Sequence, residues 1–189
     1  MLKDLVAKCR SYRRFFEEVS IPYDQLEDMV DTARITASTA NSQLLKYKII
    51  CEKDDCRKVF PHLAWAGALK DWDGPGEGER PSAYILILAD LTIAARRQWD
   101  EGIAAQTILL RAVEKGYGGC MIGSVKRTEL LHALGLDPER YQIGLALALG
   151  KPKEKIMLVD APKDGPTTYY RDENQVHYVP KRSLEDILL

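Results

Sequence analysis

The sequence has none of the short motifs that would by themselves name a metal site, a triphosphate site or a serine nucleophile. Cys9, Cys51, Cys56 and Cys120 form no CxxC pair, and His62, His132 and His177 stand at no metal-ligand spacing. Zinc and iron–sulfur readings therefore lack support, and the four thiols read as buried and reduced. No GxGxxG follows a strand to open a helix, and neither GxxxxGK[ST] nor GxSxG occurs. Rossmann, P-loop and serine-elbow chemistry fall away with them. No apolar run approaches the length of a transmembrane helix, and Lys3, Asp4 and Lys8 interrupt any signal-like stretch at the start. This predicts a soluble, cytoplasmic protein. Net charge is also missing: 27 basic residues against 28 acidic ones leave −1. No global field draws the chain to nucleic acid or anionic lipid, so any positive charge that matters is local.

What is present fits one globular domain over residues 1–189, with 46% hydrophobic residues to build a core. Leu2, Leu5, Val6 and Cys9 recur at helical spacing. A second helix is predicted with Ser20 as cap, Pro22 at its start, an apolar stripe of Leu26, Met29, Val30 and Ala33, and an end near Thr36. Tyr47 to Cys51 reads as a strand, and Asp54 or Asp55 opens a helical segment that Pro61 must divide. The run DWDGPGEGERP, Asp71 to Pro81, is a surface loop and a candidate lid. Ala83 to Ala89 is continuously apolar, as a strand buried on both faces should be. From Gln98 to Glu114 apolar residues cover nearly the whole helical circumference, which predicts a helix buried on all sides with a partner subunit against one of them. Strands are expected through Met121 and Ile122, from Tyr141 to Leu149, and in the tail at Ile156 to Val159 and Val176 to Val179. A short helix capped by Thr128 and a last helical turn from Ser183 or Leu184 complete the reading.

Three separated segments carry chemistry. CRSYRRF, Cys9 to Phe15, brings Arg10, Arg13 and Arg14 with Ser11 to a helix end. Guanidinium forks match phosphate or carboxylate oxygens bidentately, and a serine hydroxyl bonds the same oxygens. STANSQ, Ser38 to Gln43, concentrates small and amide side chains. GYGGCMIGS places glycines at a helix-to-strand junction, where backbone amides can approach a flat ligand.

These segments together resemble the FMN-dependent nitroreductase family. CRSYRRF is similar to its N-terminal phosphate motif through Arg10, Ser11, Arg13 and Phe15, and STANSQ to its flavin-facing segment, which comes partly from the partner subunit. A helix beginning Asp100, Glu101 and Gly102, then GYGGCMIGS, then Gly150-Lys151-Pro152 and the terminal VPKRSLEDIL follow the family's order. Cys9 stands where many relatives carry a basic residue, and Leu44 follows Gln43 in place of a proline-aromatic pair.

The resemblance implies an α+β fold: a central, mostly antiparallel mixed sheet flanked by helices, a long helix at a dimer interface and an extended C-terminal tail. It implies an FMN cofactor, NADH or NADPH as transient donor, and a homodimer with its sites at the subunit interface. The implied reaction is ping-pong hydride transfer through flavin N5 to nitroaromatic, quinone-like or other electron-poor acceptors. Arg10, Ser11 and Arg13 with Lys181 or Arg182 would hold the phosphate, and Arg14 is the odd one out. Ser38 would approach the flavin, Asn41 and Gln43 would meet its pyrimidine edge, and backbone amides around Ile122, Gly123 and Ser124 the N5 and O4 side. No side chain is required as a catalytic group, and Cys120 is expected to be inert. Two other classes use the same residues: a flavin-binding or flavin-remodelling module without this turnover, and a non-flavin domain that binds a phosphorylated ligand.

Overall fold

The structure, a computed structural model, describes residues 1–69, 71–96 and 98–189. The chain opens with α1 (Leu2–Lys8), a two-residue strand β1 (Phe15–Phe16) and α2 (Tyr23–Arg34), followed by β2 (Leu45–Ile50), α3 (Lys53–Val59) and β3 (Ala83–Asp90). Next come α4 (Gln98–Glu114), β4 (Gly118–Ile122), α5 (Arg127–Ala133) and the long β5 (Tyr141–Pro152). The tail carries β6 (Ile156–Asp160), β7 (Tyr170–Arg171) and β8 (His177–Lys181).

The central sheet runs β1-β5-β3-β2, with β4 also pairing β5, and every pair in it is antiparallel. All eight positions of β3 are buried, because side chains alternate between two covered faces. Ile85 and Ile87 meet Leu26, Met29 and Ala33 of α2 and Ile108 and Ala112 of α4. Tyr84, Leu86 and Leu88 face the other way, onto Val59, Leu63, Trp65, Leu130 and Leu131. The sheet is thus the middle of three layers, in the expected α+β class. A second small sheet is built from the tail, with β8 parallel to β6 and antiparallel to β7.

Two local expectations are corrected. Pro22, not Ser20, is the residue before α2, at φ −58° and ψ 145°; its extended ψ turns the chain into the helix without a side-chain cap. Lys126 precedes α5, so Thr128 lies inside the first turn. After Ser183 the chain makes the expected single turn, closed by the Leu188 amide on the Leu184 carbonyl at 3.2 Å. Within this one chain Trp99 of α4 is 62% and Ile103 40% exposed, while Asp100 and Glu101 are buried. Counting apolar positions misses this because the buried acids are satisfied by distant polar groups. Asp100 accepts from the Ser38 hydroxyl at 2.9 Å and the Thr39 hydroxyl at 2.6 Å. Glu101 accepts bidentately from Arg96 Nε and Nη2. Glu101 sits where a bulge in β5 puts Gly144, at which a Cβ would come within 2.2 Å of its carboxyl carbon.

Candidate functional site

The arginine segment leaves α1 in extended form and joins the edge of β4. Ser11 makes a parallel bridge with Gly119, and the Tyr12 amide donates to the Gly119 carbonyl at 3.0 Å. This approach needs a glycine in the sheet, since a Cβ on Gly118 would meet the Tyr12 ring at 2.6 Å and Pro152 at 2.8 Å. The alternation of an extended chain then separates the arginines. Arg13 is 9% exposed and lies over the Tyr169 ring at 5.0 Å. Arg14 points away and holds Glu79 bidentately at 2.6 and 2.7 Å. That pair keeps the Glu79 carboxyl down at about 2, Arg14 being the main cause, and pins the end of the 71–81 loop.

Arg10, Ser11, Arg13 and Lys181 line one cavity of about 300 Å³, closed by Gln106, Met121, Tyr169 and His177. Of the residues that line it, Arg10 and His177 each carry a buried nitrogen, Nε and Nδ1, with no hydrogen-bond partner among the described residues. Glu154 stands beside it, but its oxygens are already used. Oε1 accepts from the Arg13 and Arg14 amides, and Oε2 accepts from Arg171 at 3.0 Å. Burial, then the charges of Arg13 and Arg171, push the His177 imidazole down to about 4. A cationic, partly unsatisfied cavity of this kind suits an oxyanion with several acceptor oxygens.

His177 also makes a stability prediction. The unfolded imidazole titrates near 6.5 and the folded one near 4, so between those values the unfolded chain binds more protons. Stability is therefore expected to fall as pH drops through that window, above the range where paired carboxylates titrate. Urea midpoints at pH 7 and pH 5 without added ligand check it: the wild type should lose more than H177Q, and equal losses would contradict it.

The remaining candidates lie elsewhere on the chain. Ser38 and Gln43 line a separate cleft of about 650 Å³ with Asp100. Asn41 is exposed, and Ala40, Asn41 and Gln43 all have φ near +50°, an unfavourable region for non-glycine residues that Asp100 helps to hold. Gly123 and Ser124 line a third, open cleft of about 850 Å³ with Trp65, Trp72 and Arg127, while Ile122 is buried beneath it. Met121 reaches the cationic cavity and Gly123 the wide cleft, so two residues of strand, about 7 Å, link them. Arg182 is exposed beyond β8 and does not line the cationic cavity.

A sequence model of the nitroreductase family matches residues 6–151, most of the chain. The chain belongs to the nitroreductase family. No curated protein matches it in sequence. Among solved structures, a protein from Desulfovibrio desulfuricans named as a nitroreductase, in complex with FMN, superposes with a TM-score of 0.72 at 21% identity, covering 100% of this chain and 95% of that one. A protein from Staphylococcus epidermidis named as an NAD(P)H:FMN oxidoreductase also gives 0.72, at 16% identity and the same coverages. A nitroreductase family protein from Clostridium difficile gives 0.64 at 19% identity, over 80% of this chain and 84% of that one. These identities establish a shared fold.

In this chain the tail after residue 151 lies outside the family match, yet it supplies Glu154, Tyr169, Arg171, His177 and Lys181. His177 had a signal that sequence reading overlooked. Counting back from Lys181 by twos along a strand gives Val179 and His177, and all three line the cavity. Glu154 had none, since its partners are up to 141 residues away. Among the described residues no cluster of acids, histidines and cysteines could hold a metal, and no helix is long and apolar enough to cross a membrane. Burial raises the Cys9 and Cys120 thiols above their ordinary value and Cys56 to about 12, which keeps them protonated and unreactive.

Proposed function

We propose that this single-domain chain is a cytoplasmic FMN-dependent NAD(P)H oxidoreductase, with its flavin phosphate in the cationic cavity. The observation that carries the reading is the convergence of Arg10, Ser11, Arg13 and Lys181 around two unpartnered buried nitrogens, with the one adjacent carboxylate already satisfied. Family membership and the FMN and NAD(P)H in the names of fold neighbours support it.

When bound, FMN supplies hydride chemistry, accepting from NADH or NADPH and delivering to an electron-poor acceptor such as a nitroaromatic or quinone-like molecule in a ping-pong cycle. The chain's own contribution is binding and electrostatics. Arg10, Arg13 and Lys181 neutralise the phosphate, and Ser11 adds a hydroxyl. Amides near Ile122, Gly123 and Ser124 offer donors at the wide cleft. Trp72, clasped by Arg171 at 4.5 Å, borders that cleft.

Ser38 and Gln43 line a cleft separate from the cationic cavity, which supports a homodimer in which Ser38, Asn41 and Gln43 approach the flavin partly from a second copy of the chain. The uncovered Trp99 and Ile103 of α4, beside the STANSQ loop, and the exposed Leu184, Ile187 and Leu188 of the tail support that pairing. The deciding experiment is a visible spectrum of the purified protein followed by anaerobic addition of NADH and of NADPH. A flavin spectrum bleached by either nicotinamide, and restored by an electron-poor acceptor, is expected. A colourless protein that takes up no added FMN overturns the reading. A flavin that survives both nicotinamides makes the chain a flavin-binding module.

A further inference from the structure

We propose that His177 is a phosphate-binding residue whose imidazole takes up a proton when the flavin phosphate enters, coupling cofactor affinity to pH. This rests on the flavin reading above. His177 is 1% exposed, lines the same cavity as Arg10, Arg13 and Lys181, and its Nδ1 has no partner among the described residues. It is firmly held: its amide donates to the Lys155 carbonyl at 2.9 Å, and its ring lies 5.1 Å from that of Tyr169.

The charged groups around the ring are nearly all cationic. Arg10 and Arg13 come from the segment after α1, Arg171 from β7 opposite His177, Lys181 from its own strand, and Glu154 and Lys155 from the turn before β6. Tyr169 and Cys9 add neutral titratable groups to the wall, and Gln106 a neutral amide. Glu154 is the only acid in this set, and Arg171 and two backbone amides occupy it. With no anion present the imidazole is therefore neutral, pushed down to about 4. A phosphate dianion reverses the sign of the local potential and favours the charged ring. The charged ring donates from both nitrogens, so it meets a phosphate oxygen whichever of them faces the cavity. Lys181 sits four residues on, on the same face of β8, so one strand presents both a fixed and a switchable charge.

Free FMN has its own phosphate ionisation near pH 6, and that contribution is common to wild type and H177Q. Their difference isolates the histidine. Calorimetric titration of flavin-stripped protein with FMN, at pH 6 in buffers of different ionisation enthalpy, counts the protons. Wild type should take up roughly 0.7 proton more than H177Q, the value for an imidazole restored to its ordinary pKa. Riboflavin, which lacks the phosphate, should show no such difference. By linkage, H177Q should bind FMN about tenfold more weakly than wild type at pH 5.5 and equally at pH 8.

A second readout needs no variant: imidazole nitrogen NMR of the wild type at pH 6 should report His177 neutral alone and charged with FMN bound. FMN binding with equal proton uptake in both proteins, or a ring that stays neutral in the complex, overturns the histidine's role and leaves the flavin reading standing. A wild type that binds no FMN overturns both.

Discussion

Replacing Glu154 with alanine is expected to cost about 3–5 kcal/mol of folding stability, the range for removing one partner of a buried ion pair. The Glu154 side chain is 1% exposed and Arg171 10%, so the variant leaves a guanidinium in a low-dielectric site without its counter-charge. It also frees the Arg13 and Arg14 amides, which set the path of the arginine segment. Urea unfolding measures the loss. E154Q, which keeps one acceptor oxygen, should lose less, and E154Q/R171M should recover part of the deficit, because the stranded charge is then gone. A loss below about 1 kcal/mol in E154A would mean that the pair is solvated in solution and anchors nothing.

The second large effect separates the three arginines. R10A and R13A should each raise the FMN dissociation constant by about 10–100-fold, the equivalent of one charge-assisted hydrogen bond. R14A should leave FMN affinity within about threefold while lowering stability through its bond to Glu79. Flavin fluorescence titration distinguishes these outcomes. Equal affinity losses in all three would mean that the phosphate contacts are in a different register, with Arg14 turned inward.

The separation of Arg13 from Arg14 illustrates what a sequence can carry. Extended backbone alternates its side chains, so two adjacent arginines cannot face the same cavity. The buried strand β3 and the amphipathic helix α2 were legible for a similar reason, as their apolar patterns match the period of the element that forms. α4 was legible as a helix, but the burial of its two acids was not. Asp100 and Glu101 are buried at its first turn by Ser38, Thr39 and Arg96, none of which periodicity can assign to it. The helix caps failed for a smaller reason: Pro22 and Lys126 enter their helices by backbone geometry, without a side-chain cap.

By itself the sequence determined the alternation of strands and helices, the absence of metal and nucleotide-triphosphate motifs, and a cationic segment at a helix end. Those are local properties, set by residue types within a few positions of one another. The tertiary structure alone decided that β8 lies against that segment, that Glu154 is occupied by Arg171 and two amides, and that His177 is left with an unpartnered nitrogen among arginines. Burial and electrostatic potential sum over groups brought together from across the chain, and no local pattern encodes that sum.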